Sequence, residues 1–412
     1  MKKINIYCFV LACVMGIAGI ALRQSDHAQV TIESKIPVRM ESSETENKVI
    51  RVLIKTNGFA GMTHEKVSYQ IDGGKIKTIK PDDKRFQNGT IKLQSKAKDG
   101  CVRITSLKRG YGIPSYRGTL ELFCTAEGIV IVNELFMEDY LCAVVPSEMP
   151  ASYELEALKA QAVCARSYAY NQSRDYSYKK YRAHVDDSTS FQVYGNSKEQ
   201  KRSSRAVRET EGQKIWYADR VATAYYYSTS CGKTASITAW GTKFTKRNRY
   251  LKSVAVCNGK GEDYEKELSW YRWTAKVPET VMSNLIELNT GTEIGSLLSL
   301  KVTKTGDGGI AQEITAVGTT GKVRVKTENK IRTALGGDGY TIIKQDGSKV
   351  ASSKLLPSAF FTIKKSSGYY VISGGGYGHG IGMSQNGANE MAKCGKNYQE
   401  ILESFYSGIE VR

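Results

Sequence analysis

The chain has 412 residues, with 59 Lys and Arg against 41 Asp and Glu, a formal charge of +18. That length can enclose a large core and more than one domain, and the excess of cations suits nucleic acid, anionic lipid or an anionic cell wall. No basic cluster carries the interleaved aromatics or the module of a nucleic-acid binder, which places nucleic acid last among these partners, and the absence of any CxxC argues against a zinc ribbon or a thioredoxin-type centre.

Lys2 and Lys3 precede an uncharged run over residues 4–22. Its 19 residues just span a hydrocarbon core. With cations before it and no strong small-x-small cleavage site after it, the run reads as an uncleaved transmembrane anchor over residues 1–23, with the bulk of the chain outside the cell. Residues 24–47 are polar and patternless and read as a flexible tether. Of the nine cysteines, seven lie beyond the anchor. Cys142 and Cys164 read as small core residues. Cys231 and Cys257 lie in polar, Gly-flanked stretches and are expected to form a disulfide in an oxidising compartment, with Cys101 and Cys124 as a second candidate pair.

Residues 48–132 alternate in short apolar runs, at 49–54, 90–93 and 129–132, between Asn-Gly, Asp-Gly and Gly-Gly turns: a β-rich region without obvious chemistry. Next come Val144-Val145-Pro146-Ser147-Glu148-Met149-Pro150 and a patterned helix over 155–170. Two prolines bracketing a carboxylate predict that Ser147 and Glu148 occupy a short rigid turn at the mouth of that helix. A fixed carboxylate suits proton transfer, and an acidic residue before a helix is also favoured by the dipole. Leu155, Leu158, Ala162, Ala165 and Ala169 fall on one core-facing stripe. Lys159 and Arg166 line one edge of it, a row of charge that would suit an acidic substrate, and Gln161 lies on the other.

Further on, His184 and Asp186 offer two potential cation ligands, short of a metal site. Strands are predicted at 214–216 and 222–227, the second ending in the hydroxyl-rich Ser228-Thr229-Ser230-Cys231-Gly232. More strands follow at 298–303, 314–317, 321–325 and 356–363. The loop 374–382 alternates glycines around Tyr377 and His379, a pattern that lets backbone bend closely and exposes His379, Ser384 and Gln385; it fits neither a dinucleotide fingerprint nor a phosphate loop. Two short helices close the chain, Asn397 and Glu400 having capping-box spacing.

The run from Val145 to Pro150, the helical segment from Glu156 to Ala169 and the closing Gly376-Tyr377-Gly378-His379-Gly380-Ile381-Gly382-Met383-Ser384-Gln385-Asn386-Gly387-Ala388 together resemble the signature of the stage II sporulation protein D (SpoIID) family and its amidase-enhancer (LytB) relatives. The resemblance covers about 133–412, which would form the catalytic domain, with Cys164 and Cys231 as departures. It implies an α+β fold of mixed antiparallel sheets with a few helices. It implies also a lytic transglycosylase that cleaves peptidoglycan glycan strands during spore engulfment, leaving 1,6-anhydro-N-acetylmuramic acid ends, with Glu148 as acid and base. A conventional glycosidase would need a second carboxylate, which these motifs do not offer. Lys159 or Arg166 would meet the lactyl carboxylate of stem-free strands, and Tyr227, Ser228, His379, Ser384 and Gln385 would position the glycan. No cofactor is expected: relatives carry Cys and His zinc ligands near His184, but that stretch has no Cys here. Partners would be a cell-wall amidase and a membrane scaffold protein. The competing expectation is a non-catalytic amidase enhancer.

Overall fold

The computed structural model describes residues 48–412; the expected anchor and tether lie outside them. Its first strand, Val49–Ile54, is buried along nearly its whole length, as expected for an apolar run covered on both faces. It pairs antiparallel with Gly128–Phe136 and, on its other edge, parallel with Val185–Asp186. The five-stranded sheet is completed by Thr119–Thr125 and Ile91–Gln94. Arg51, in the middle of this apolar strand, is tolerated because Glu121 accepts from it at 2.5 Å and Glu134 also accepts. The tight entry into Gly128–Phe136 requires glycine: Gly128 has φ +133°, and a Cβ there would lie 2.7 Å from the His64 carbonyl.

That long strand runs straight into helix α1, Met137–Glu148, with Glu138 and Asp139 in its first turn. Helix α2, Leu155–Gln172, follows. The predicted stripe understates its burial, because the residues from Ala160 to Ser167 are all buried. A helix rich in Ala and other small residues can be approached on every side, and α2 packs against α1, against α3 (Lys201–Glu209) and against the closing helices. Beyond it lie a second five-stranded antiparallel sheet centred on Trp273–Pro278, a three-stranded sheet over Leu297–Thr305, Ala311–Gly318 and Lys322–Lys326, and helices α4 (Glu279–Thr290) and α5 (Glu328–Leu335). Helices α6 (Gln385–Lys393) and α7 (Tyr398–Phe405) end the chain, α7 carrying the expected capping box between Asn397 and Glu400.

The fold is α+β with mostly antiparallel sheets, as the sequence implies. Among the described residues no helix is long and apolar enough to cross a membrane. The boundary expected at 132/133 falls inside the strand Gly128–Phe136, and the described residues form one compact unit. The strand expected over 356–363 begins only at Phe361. The seven cysteines of the described residues are free, including Cys231, Cys257, Cys101 and Cys124, so neither expected disulfide is formed.

Candidate active site

Glu148 is not in a turn before a helix. It is the last residue of α1, with Pro146 accommodated inside the last turn and Met149 already extended. This position matters electrostatically, because the C-terminal end of a helix carries the negative pole of its dipole and disfavours an anion. Part of the Glu148 surface reaches solvent, yet its carboxyl lies deep among protein atoms. Burial raises its pKa to about 7 against two opposing hydrogen bonds, one from the Val193 N–H and one from the Tyr226 hydroxyl. Val193 donates to Oε1 at 2.7 Å.

These two donors are themselves held. The Tyr226 hydroxyl accepts from Gln192 Nε2 at 3.0 Å, and Gln192 Oε1 accepts from the Tyr140 hydroxyl at 3.2 Å. The segment carrying Val193 is pinned over the end of α1. Tyr194 donates to Asn133 at 2.6 Å, and the amides of Asn196 and Ser197 donate to Ser147 Oγ at 3.1 and 3.0 Å. From the other side Gln385 donates to the Glu148 carbonyl at 3.1 Å and to Gln161 at 3.3 Å. An open trough of about 730 Å³ runs between Ala151–Ser152, just beyond Glu148, and Lys198–Arg202, just beyond the pinned segment. Glu148 does not itself line this trough. Lys198, Lys201 and Arg202 give its wall a positive character.

Tyr226 and Tyr227 form a short strand parallel to Met383–Ser384, which brings the C-terminal motif against the site. The predicted residues there serve mainly to build it. His379 accepts from the Ile381 N–H at Nδ1 (3.1 Å), which fixes the proton on Nε2, where it is donated to the Tyr226 carbonyl at 3.0 Å. Burial holds the ring neutral, its pKa lowered to about 3. It thus sets the backbone that carries Tyr226. Ser384 is fully buried, caps α6 by accepting from Gly387 at 3.2 Å, and donates to Glu265 at 2.8 Å. Tyr227 is buried, and its hydroxyl, like Gln161 Nε2, lacks a protein partner. The Ser228 carbonyl accepts from the Asn386 amide at 2.9 Å and from its side chain at 3.2 Å.

Lys159 and Arg166 are not available to a substrate carboxylate. Arg166 is buried and bonded bidentately to Glu138, at 2.7 Å for each oxygen, and donates as well to the carbonyls of Gln213 and Val207. Lys159 bridges Glu156 and Glu209, at 2.8 Å to each. The acidic partners of this edge are internal, and spacing along α2 could not reveal them. His184 and Asp186 are likewise occupied. His184 Nδ1 accepts from the Arg51 amide at 3.0 Å, and Asp186 accepts from Tyr178 at 2.6 Å and from Ser188. No group of three or more His, Cys, Asp or Glu placed to hold a metal occurs among the described residues.

Sequence reasoning missed Tyr226, Tyr140 and Glu265, and gave Gln192 no role. Glu265 is wholly buried and accepts from the Ser230 amide at 2.9 Å, from the Ser230 hydroxyl and from Ser384; burial raises its pKa to about 7. Nothing in the run around Glu265 marks it, whereas Gln192 lies close enough to His184 and Asp186 to have been weighed with them.

Residues 125–217, which carry α1, α2 and the pinned segment, match the family described as Stage II sporulation protein, SpoIID. Residues 242–382 match a domain of unknown function, DUF8618. The chain is 30% identical over 295 residues to Stage II sporulation protein D of Bacillus subtilis (strain 168), covering 75% of that protein and 68% of this chain. The chain belongs to the SpoIID family. It is also 33% identical over 301 residues to an uncharacterized protein of Brachyspira hyodysenteriae, covering 72% of each. A further relative, 33% identical over 294 residues, is named Amidase enhancer, from Bacillus subtilis (strain 168). The match takes in 65% of this chain but only 39% of that longer protein.

Proposed function

We propose that this SpoIID-family protein is a lytic transglycosylase of peptidoglycan glycan strands, anchored to the membrane of a spore-forming bacterium and acting outside it during engulfment. The observation that carries the reading is Glu148: one carboxyl at the end of α1, close in sequence to the Ala151–Ser152 wall of an open trough, poised near neutral pH and held by a backbone amide and a tyrosine hydroxyl. A group with a pKa near the working pH serves both as acid and as base. Protonated Glu148 gives its proton to the glycosidic oxygen as the bond from C1 of N-acetylmuramic acid breaks. The resulting carboxylate then takes the proton of the same sugar's 6-hydroxyl as O6 bonds to C1. A 1,6-anhydro ring closes, Glu148 is protonated again, and no water is consumed. Lys198, Lys201 and Arg202 on the trough wall are the cations that a stem-free strand, with its lactyl carboxylates, would meet. A cell-wall amidase that strips stem peptides would supply such strands.

Replacing Glu148 with Gln keeps the shape and removes the transferable proton. Cleavage should fall by about 10² to 10⁴ while strand binding persists. Mass spectrometry of digested stem-free glycan decides the point. Reducing ends from the wild type would mean hydrolysis, and anhydro ends formed equally well by Glu148→Gln would remove the carboxylate from the mechanism. The second reading, a non-catalytic enhancer of an amidase, is favoured by the similarity to the protein of that name. Stimulation of an amidase by a wild-type protein that cleaves nothing would establish it.

A further inference from the structure

Away from Glu148, a cavity of about 270 Å³ opens in the second half of the chain, its walls including Trp270, Tyr377, Ile342, Leu355, Pro357 and Ser353. It falls just under the roughly 300 Å³ of the smallest drug-sized pockets, room for one ring and not for a folded peptide. Two aromatic rings form its corner. Trp270 and Tyr377 lie 4.7 Å apart at 47°, and Lys344 sits 5.2 Å over the indole. Tyr377 is 43% exposed although it stands in a tightly bonded loop, so its outward ring is not a requirement of packing.

The backbone fixes that ring firmly. Tyr377 exchanges two hydrogen bonds with Thr229, at 2.8 and 3.0 Å; Gly376 donates to the Trp270 carbonyl and Gly378 to that of Pro357, both at 2.9 Å. Gly378 has φ +118°, and a Cβ there would meet Tyr227 at 2.7 Å. Two residues later the same loop places His379 on the carbonyl of Tyr226, whose hydroxyl reaches Glu148. One rigid loop therefore joins the aromatic corner to the carboxyl.

We propose that the Trp270–Tyr377 corner is a distal sugar subsite that takes one N-acetylated hexosamine ring of the strand engaged at Glu148. The apolar C–H face of a pyranose packs on an aromatic face, as an amphipathic ring does at an interface, and its hydroxyl edge meets the Ser352 and Ser353 rim. A repeating polymer reaching both places gains affinity with length, because the second contact is intramolecular. The proposal rests on the reading of Glu148 as the glycan-cleaving group, and the two are separable by experiment.

The test uses full-length Glu148→Gln protein, which leaves the ligand intact, with and without Tyr377→Ala, titrated calorimetrically with chitobiose and chitohexaose. Tyr377→Ala should weaken hexaose binding about tenfold, the loss expected for truncating one aromatic anchor, and leave the biose affinity as it was. Tyr377→Phe should retain the gain with length. An unchanged hexaose affinity overturns the proposal, and so does an equal loss on both oligomers, which would mark distortion of the Glu148 end. Loss of amidase stimulation without loss of glycan binding would make the corner a protein contact and overturn it too. If the wild type yields no anhydro ends but length-dependent binding through Tyr377 persists, the catalytic reading fails and the subsite stands.

Discussion

Tyr226 supplies the clearest test of how Glu148 is tuned. Its hydroxyl accepts from Gln192 at 3.0 Å, so its own proton is free to be given to the Glu148 carboxyl, where it lowers the pKa. Tyr226→Phe removes that donation and the acceptor of Gln192 Nε2, which keeps the Ala165 carbonyl at 3.4 Å, while the ring and the backbone bond from His379 remain. A hydrogen bond to a charged group contributes about 1.5–3 kcal/mol, and one pKa unit corresponds to about 1.4 kcal/mol. With some allowance for the partial exposure of Glu148, the carboxyl should move up by about one unit, from about 7 to about 8. If protonated Glu148 is the acid, kcat/KM falls on the alkaline side through this pKa. The variant should therefore have a lower maximum and an alkaline limb displaced upward by about one pH unit. The assay is the rate of anhydro-end formation on stem-free glycan between pH 5 and 9. A purely structural role for Tyr226 would lower activity without moving the limb, and an unmoved limb would refute the argument.

Arg166→Gln breaks a buried bidentate pair; because Glu138 keeps partial access to water, the cost should lie at the low end of the range for such losses, about 3 kcal/mol, read as a lower urea midpoint. It should weaken binding of stem-free strands and neutral chitin oligomers alike, and selective loss on the acidic strands would return Arg166 to the substrate site. Glu265 has a folded pKa raised from 4.5 to about 7, so its favourable contribution is full below its unfolded pKa and lost as pH rises through about 7. Glu265→Gln should therefore flatten the fall of stability between pH 5 and 8 by up to about 3 kcal/mol, which thermal unfolding across that window checks.

The elements written in local pattern were legible. A short apolar run gave Val49–Ile54, spacing gave α2, and an Asn three residues before a Glu gave the cap of α7. Helix α1 was not, because Pro146 and Pro150 read as breakers, whereas the helix runs through Pro146 and ends only at Glu148. The candidate site was legible in Glu148 and in the segment around Ser384 and Gln385. What those residues touch was not. Gln192 reaches Tyr226 across 34 positions and Glu265 reaches Ser384 across 119, and no period in a sequence encodes a contact of that span.

The geometry also bears on why a single acid is the economical reading. A two-carboxylate glycosidase holds its acid and its nucleophile or base about 5 to 9.5 Å apart, both open to the sugar. Of the other carboxylates around this region, Glu265, Asp186 and Glu199 are each occupied, while the half-exposed Glu154 meets Arg202 of the trough wall at 3.4 Å. Glu265 is sealed from solvent by Ser230 and Ser384. Asp186 is buried and taken by Tyr178 and Ser188. Glu199, on the trough wall, is clamped bidentately by Arg117 at 2.8 and 2.9 Å. A carboxylate held in such a fork is stabilised as an anion with its lone pairs engaged, which unfits it to activate water or to attack C1. On the proposed reading the nucleophile comes from the substrate, and the 6-hydroxyl of muramic acid is the group that a strand brings with it. Freeing Glu199 by Arg117→Ala would be the change most able to admit water. Reducing ends appearing among the anhydro products of that variant would show that the clamp, as much as Glu148, keeps hydrolysis out.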